Sequence, residues 1–360
     1  QVDSFVDLPF QLYADNKYWV PPIVSEARAT LDRSKNPFFH HSDANFILAY
    51  ENNRPVGRLA VMENRQYNQH HGTRTAFFYL FECMDDSDIA EALFDHAKEW
   101  ARVRDLNVLI GSKGFLQGDG MGILVEGFSH LPAMGIPYNH SYYGDLIEHV
   151  GFDKETDFLS GYLEGSHQLP DRIRKVAERV KRRRGYTVKS FRSARELRKW
   201  VQRIGEVYTA SFTENWEYCP PTPAELEVIG DRLITIANPK LIKLVLKDDQ
   251  IIGFVFGFMD VSCALQRTKG KIWPFGWLLL MREFNTTRVV NFNGVGMLPG
   301  YQGLGGSAVM YAEMAHSMRE VPIDIAEVVQ VEERNHKSLG DMQALGVKFH
   351  KRHRIYRLKL

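Results

Sequence analysis

Cysteine is scarce in this chain. Cys83, Cys219 and Cys263 are far apart and in no metal-ligand spacing. That usage argues against a disulfide framework and fits a reducing cytoplasm. A dominant charge is also missing. Lys plus Arg total 45 against 44 for Asp plus Glu, so no overall field gathers nucleic acid, and none is expected as a partner. No apolar run approaches the ~20 residues that cross a bilayer. The histidine pairs His40-His41 and His70-His71 are adjacent residues, which point apart on a strand or a helix, so no metal is expected. What remains is a globular composition, 44% hydrophobic and 25% charged, in 360 residues, a length for two domains.

The most informative stretch is Val295-Gly-Met-Leu-Pro-Gly-Tyr-Gln-Gly-Leu-Gly-Gly-Ser307. An apolar run from Val289 leads into it, and a helical pattern with Val309, Ala312 and Met314 follows. The order is strand, glycine-rich turn, helix. Glycines at 303, 305 and 306 let the backbone turn tightly and a ligand approach it. N–H groups at the following helix start favour an anion. The turn has no lysine and is not a Walker A loop, nor does it match Gly-x-Gly-x-x-Gly.

Read as Gln302-Gly-Leu-Gly305-Gly-Ser307, this turn resembles the pyrophosphate loop of the GNAT acyltransferases, with Ser in the last place. The resemblance continues through a strand pattern (Ile323 to Val331), Asn335-x-x-Ser338, Leu345-Gly346-Val347 and an alternating terminal strand with Tyr356. It implies acyl-CoA (coenzyme A) as co-substrate. Val295, Gly296 and Met297 would hold the pantetheine arm on a splayed strand, with the Met297 N–H facing the thioester oxygen. Gln302, Gly303, Leu304, Gly305, Gly306 and Ser307 would hold the pyrophosphate, helped by Asn335 and Ser338.

The chain also repeats itself. Ile47 to Val61 and Leu244 to Phe256 both read strand, polar turn, strand, with Gly57 and Gly253 in equivalent places. Leu146 to Phe152 echoes Met342 to Val347 at nearly the same offset. The expected fold is therefore α/β, two tandem GNAT-like domains, each a mixed, mostly antiparallel sheet flanked by helices. The expected division is a degenerate copy at 1–165, a basic helical connector at 166–185 and an acyl-CoA-binding copy at 186–360. Leu12-Tyr13, Trp19-Val-Pro-Pro22, Gly122 to Phe128 and Tyr142-Tyr143 are similar to segments of bacterial double-GNAT proteins, among them the bacterial ceramide synthase type. In the first copy the place of the phosphate loop reads Phe81 to Asp88, without glycine and with four carboxylates. Those would repel a pyrophosphate, and Asp85 or Ser87 is expected to cap the helix that follows.

Acyl transfer to an amine needs a base, since a free alkyl amine is protonated at neutral pH. Glu327, a lone carboxylate in an apolar strand, is either that base or half of a structural ion pair. Asn293 and Asn291 could orient a water or a substrate hydroxyl. The family's usual tyrosine before the final Leu-Gly falls here on Met342, which leaves Tyr356 and Tyr311 as substitutes for the thiolate acid or as core residues. Asn215 and Trp216 either shape the acceptor pocket or close a helix before Pro220-Pro221.

Between the second hairpin and the phosphate-loop strand lies Lys269 to Arg282, rich in Trp273, Phe275, Trp277 and Leu278 to Met281. Aromatics between cations suit a lipid-lined pocket, with Trp273 and Trp277 as substrate contacts, or a peripheral contact with the inner membrane face through 269–282. The other reading is a helix that seals packing. The basic run Lys181 to Arg184 is either a headgroup contact or a solvated helix end. The expected function is an acyltransferase of the GNAT type that moves acyl rather than aminoacyl groups, with a long-chain acyl donor and a small-molecule or lipidic amine such as a sphingoid base as acceptor. Two readings stay open beside it: an acetyltransferase on a small polar amine, and a non-catalytic acyl-CoA sensor.

Overall fold

Asn52-Asn53 and Asp248-Asp249 adopt the left-handed backbone expected of them, with φ of 47° and 64° in the first pair and 48° and 67° in the second. Two successive positive φ values make the tight turn whose twist matches a hairpin, and Asn and Asp tolerate that region. Each turn joins the first hairpin of one half of the chain.

The computed structural model describes every residue, Gln1–Leu360. Packing divides it into two compact units. One comprises Gln1–Leu159, Val261–Glu283 and His350–Leu360, the other Ser160–Asp260 and Phe284–Phe349. The expected copies at 1–165 and 186–360 run along the chain, whereas the compact units interleave. The insertion and the end of the terminal strand pack with N-terminal residues.

In chain order, helices α1 (Val2–Leu12) and α2 (Val24–Leu31) precede the hairpin β1 (Asp43–Glu51) and β2 (Arg54–Glu63). Then come α3 (Arg65–His71), β3 (Thr75–Cys83), α4 (Ser87–Arg102), β4 (Val108–Gly111), β5 (Ile123–Glu126), α5 (Tyr143–His149) and β6 (Asp153–Glu164). Next are α6 (Asp171–Arg184), β7 (Thr187–Ser190), α7 (Ala194–Arg198), α8 (Val201–Ser211), α9 (Pro223–Ile236) and the hairpin β8 (Ala237–Lys247) and β9 (Gln250–Met259). The insertion forms α10 (Ser262–Thr268) and α11 (Gly276–Thr286). The chain ends with β10 (Val289–Met297), α12 (Gly306–Arg319), β11 (Ile325–Glu332), α13 (His336–Leu345) and β12 (Lys348–Lys359).

Within the first unit the strand order is β1-β2-β3-β4-β12, with β5 also on β12. Only β3–β4 is parallel among the pairs from β1 to β12. Within the second unit the order is β11-β10-β9-β8-β7, again with one parallel pair, β10–β11. Each unit's strands are thus mixed and mostly antiparallel, as expected, within one 12-stranded sheet.

One helix in each unit lies against the first hairpin. α4 buries Ala90, Leu93, Phe94, Ala97 and Ala101, a helical stripe that packs on Phe78 and Phe81. Its cap is Asp86, which accepts from the N–H groups of Asp88 and Ile89; the sequence suggested Asp85 or Ser87. Asp86 takes the role because it is the residue with extended backbone just before the first helical turn. In the second unit α12 buries Val309, Met310 and Met314 against Ile252, Val255 and Val290.

The terminal strand is fastened in the first unit by a buried ion cluster. Asp157, 1% exposed, accepts from Arg354 at 3.0 Å and Arg352 at 3.1 Å, and Lys154 lies at 3.0 Å. Burial pushes its carboxyl up, but Arg354 and Lys154 outweigh burial and hold it below the usual range. A depressed carboxyl stabilises the fold above its unfolded pKa and loses that contribution as pH falls through the folded value. Asp157→Asn should therefore destabilise by about 3 kcal/mol near neutrality, as expected when one partner of a buried pair is removed. The deficit against wild type should shrink in acid denaturation below about pH 4, the ordinary carboxylate range. Equal urea midpoints at pH 7 would refute this.

Candidate active site

In the second unit β10 outlasts its pairing with β11. The two run parallel from Val289↔Ile325 to Phe292↔Val328 and then separate. β9 accompanies β10 further, to Met297↔Gly253, across a bulge between Phe292 and Val295. Gly294 sits in that bulge at φ 115°, a conformation that needs glycine, and Gln330 turns β11 at φ 49°. Residues 294–297 are left with one unpaired edge, the splay that the resemblance implied. The Leu298 N–H donates to the Ile252 carbonyl at 2.9 Å. Antiparallel alternation then turns the Met297 N–H toward the free edge.

Close packing holds this strand. A Cβ on Gly253 would meet Met297 Sδ at 2.1 Å, and one on Gly306 would meet Met297 Cε at 2.4 Å. The Met297 side chain is thus wedged under the first residue of α12. On Gly296, a Cβ would lie 3.0 Å from Ser211, so the end of α8 seats directly on the strand. The turn after α8 carries Asn215, exposed, and Trp216, half-buried.

The glycine-rich turn follows at once. Gly303 and Gly305 have φ of 71° and 84°. Gly305 is the N-cap of α12 and provides no side-chain cap, so the first N–H groups of the helix are not answered by a capping side chain. The Gln302 amide donates to the Met297 carbonyl at 3.4 Å and accepts from Lys337 at 2.9 Å. A recess of about 280 Å³ opens between residues 303–305 and the α6 face bearing Val176, Arg179, Val180, Arg183 and Arg184. Nothing in the sequence motif pointed to α6. Its basic end was readable, but its position beside the turn was not.

Glu327 lies on β11 in register with Asn291 on β10 and is 7% exposed. The Asn291 amide donates to Asp260 at 2.7 Å. Register partners share a face, so Glu327 and Asn291 stand together one rung before the last pair, Phe292↔Val328, and the splay. Asn293, two residues along, is half-buried. Asn335 caps α13 by accepting from the Ser338 N–H at 3.1 Å, which gives both residues a local structural task. Tyr311 donates to Asp341 at 3.3 Å. Burial and the neighbouring Asp341 raise its hydroxyl well above the ordinary tyrosine range.

Other expected residues fall elsewhere. Tyr356 belongs to the first unit, where it is wholly buried, pairs with Gly111 and donates to Glu148 at 3.0 Å. Burial, then Glu148, raises its hydroxyl above the tyrosine range. Of the two readings of Tyr356, thiolate acid or core residue, this burial on the β4 edge favours the core residue. Trp273 and Trp277 also belong to the first unit and are exposed. The insertion is tied to the opening segment: Gln266 donates to the Lys17 and Trp19 carbonyls, each at 2.9 Å, and the Val24 N–H donates to Gly270 at 3.0 Å. α11 itself buries none of its residues.

The first unit contains the same strand in closed form. Gly57 pairs with Cys83 as Gly253 pairs with Met297, so Cys83 stands where Met297 stands. Its N–H donates to the Tyr143 hydroxyl at 3.1 Å, and Tyr143 donates to buried Glu82 at 2.8 Å. Tyr13 donates to the same carboxylate at 2.7 Å, and Arg58 lies at 3.4 Å. Three residues, 84–86, separate β3 from α4, against eight, 298–305, between β10 and α12. A short acidic turn and an occupied N–H stand there in place of the glycine-rich turn and the open strand edge.

Comparison with known proteins agrees with this geometry. The chain is 24% identical to Protein YghO of Escherichia coli (strain K12) over 360 residues, 98% of this chain and 91% of that protein. It is 26% identical to the bacterial ceramide synthase of Caulobacter vibrioides over 285 residues, 78% of this chain and 73% of the relative. Its fold is similar to that of a tandem GNAT protein from the clavulanic acid biosynthesis pathway, with TM-score 0.56 and 14% identity over 99% of this chain and 94% of the other. A fungal multi-domain β-N-acetylglucosaminidase with a GCN5-related glucosamine N-acetyltransferase region aligns at TM-score 0.57 and 13% identity, over 99% of this chain and 37% of that one. No family model matches. The fold is the tandem GNAT fold.

Proposed function

We propose that the protein transfers a long-chain acyl group from acyl-CoA to a lipidic amine, such as a sphingoid base, forming an amide. The observation that carries the reading is the splayed β10 edge above an uncapped helix start. The pantetheine arm would pair along 294–297, and the pyrophosphate would rest on 303–306. The amine nitrogen attacks the thioester carbon, a C–N bond forms and the C–S bond breaks. The Met297 N–H faces the oxygen that gains charge. Glu327 takes the amine proton, directly or through one water held by Asn291 or Asn293. Holding both reactants on one edge lowers the barrier further.

The lipid side of the reading is supported by α11 and its approach, and by the relative named a ceramide synthase. Trp273, at 82% exposure, Phe275, Trp277, Leu278, Leu279 and Met281 are more than half of the chain's exposed large apolar side chains. Lys269, Lys271 and Arg282 flank them, a composition suited to a long acyl chain or to peripheral contact with an anionic bilayer at 269–282. No helix is long and apolar enough to cross a membrane. Purified protein with an acyl-CoA series and a sphingoid base should release CoA and form the amide, read by mass spectrometry. A preference for acetyl-CoA with a polar amine would replace this reading. The double substitution Trp277→Ser with Leu279→Ser should flatten the chain-length profile of kcat/KM, since each buried methylene contributes about 0.8 kcal/mol. Identical profiles in wild type and variant would mean that the insertion does not meet the chain.

A further inference from the structure

Helix α6 bears arginines that no carboxylate answers. Arg179, Arg183 and Arg184 line the recess beside residues 303–305, and none of them has an ion-pair partner, whereas Lys181 pairs with Glu313 and Arg174 with Asp171. The helix is seated on the phosphate turn itself. A Cβ on Gly305 would meet Val180 Cγ2 at 2.7 Å and Val176 Cγ1 at 3.4 Å. Val176, Val180 and Arg184 recur every fourth residue, as do Arg179 and Arg183, so one face of α6 carries both the apolar seat and the guanidinium groups. Cations near a helix C-terminus answer its dipole wherever they point. That requirement does not explain three of them around a recess walled by a glycine turn and the start of a second helix.

We infer that α6 is a phosphate clamp, in which Arg179, Arg183 and Arg184 bind the phosphate groups of the acyl donor against the Gly303–Gly305 backbone. The inference rests on the reading of the second unit as the acyl-CoA site and adds to it a binding element outside the glycine motif. A guanidinium fork matches phosphate oxygens in pairs, and the exposed position makes the contribution salt-dependent. The connector between the two copies is then part of donor recognition.

The full chain is compared with the triple variant Arg179→Gln, Arg183→Gln, Arg184→Gln by calorimetry, with CoA and with pantetheine, which lacks the phosphates. All three side chains are exposed, so the melting temperature should hold. CoA binding should weaken by about tenfold to a hundredfold, pantetheine binding should not change, and the salt dependence of CoA binding should become shallower. Unchanged CoA affinity would overturn the clamp. An equal loss for pantetheine would overturn it too, because the helix would then act by position alone. Loss of binding to phosphatidylglycerol vesicles with CoA unaffected would assign the arginines to lipid headgroups instead. Failure of the wild type to bind CoA would be distinct from all of these and would remove the parent reading, and the clamp with it.

Discussion

Glu327→Gln should lower turnover by roughly 10²–10⁴-fold while leaving the melting temperature nearly unchanged. The change keeps the shape of a side chain that is 7% exposed and removes only its basicity. Glu327 pairs with Asn291 one rung before Phe292↔Val328, the last that β10 and β11 share, so it lies close to the point where the strands part. In the proposed reaction this is the group that takes the proton of the attacking amine. A stable variant with full activity would place the base elsewhere. A collapsed melting temperature would make Glu327 a structural ion-pair partner.

Gly303→Asp should reduce CoA affinity on the order of a hundredfold, by setting a carboxylate against the pyrophosphate. Position 303 is the suitable place for this test. A Cβ there meets nothing within 4 Å, and Asp tolerates the φ of 71° better than most residues. Gly305→Glu would be a poorer probe, since its Cβ would strike Val180 at 2.7 Å and push α6 off the turn. In the first unit Asp86→Ala should leave CoA affinity intact and cost about 1 kcal/mol of stability through the lost cap. Calorimetry on the two variants decides the matter: retained affinity in Gly303→Asp, or lost affinity in Asp86→Ala, would reverse the assignment of the donor site to the second copy.

Much of this arrangement is local, and local features are readable in a sequence. The hairpin turns at 52–53 and 248–249 are selected by residues that accept positive φ, and the α4 stripe by its apolar period. The order strand, glycine turn, helix places β10 and α12 without tertiary information, because glycine is needed where the backbone turns left-handed at 303 and 305. The repeat of Gly57 and Gly253 marks two copies of one pattern. What the sequence determined by itself was therefore the kind of fold, its duplication and the turn that suits a pyrophosphate.

Tertiary structure decided the rest, since it depends on which distant segments meet. Tyr356 reads as an alternating strand residue in either copy, and only the pairing of β12 with β4 places it beside Glu148. The Cys83 N–H is closed by Tyr143, sixty residues away along the chain, while the Met297 N–H faces a gap left by β11. The α6 arginines look like a solvated helix end until Gly305 is seen to admit Val180 and bring that helix onto the glycine-rich turn. Residue type and spacing fix backbone conformation over a few residues. An active edge and its charged wall come from contacts between segments far apart in the chain, which local spacing does not encode.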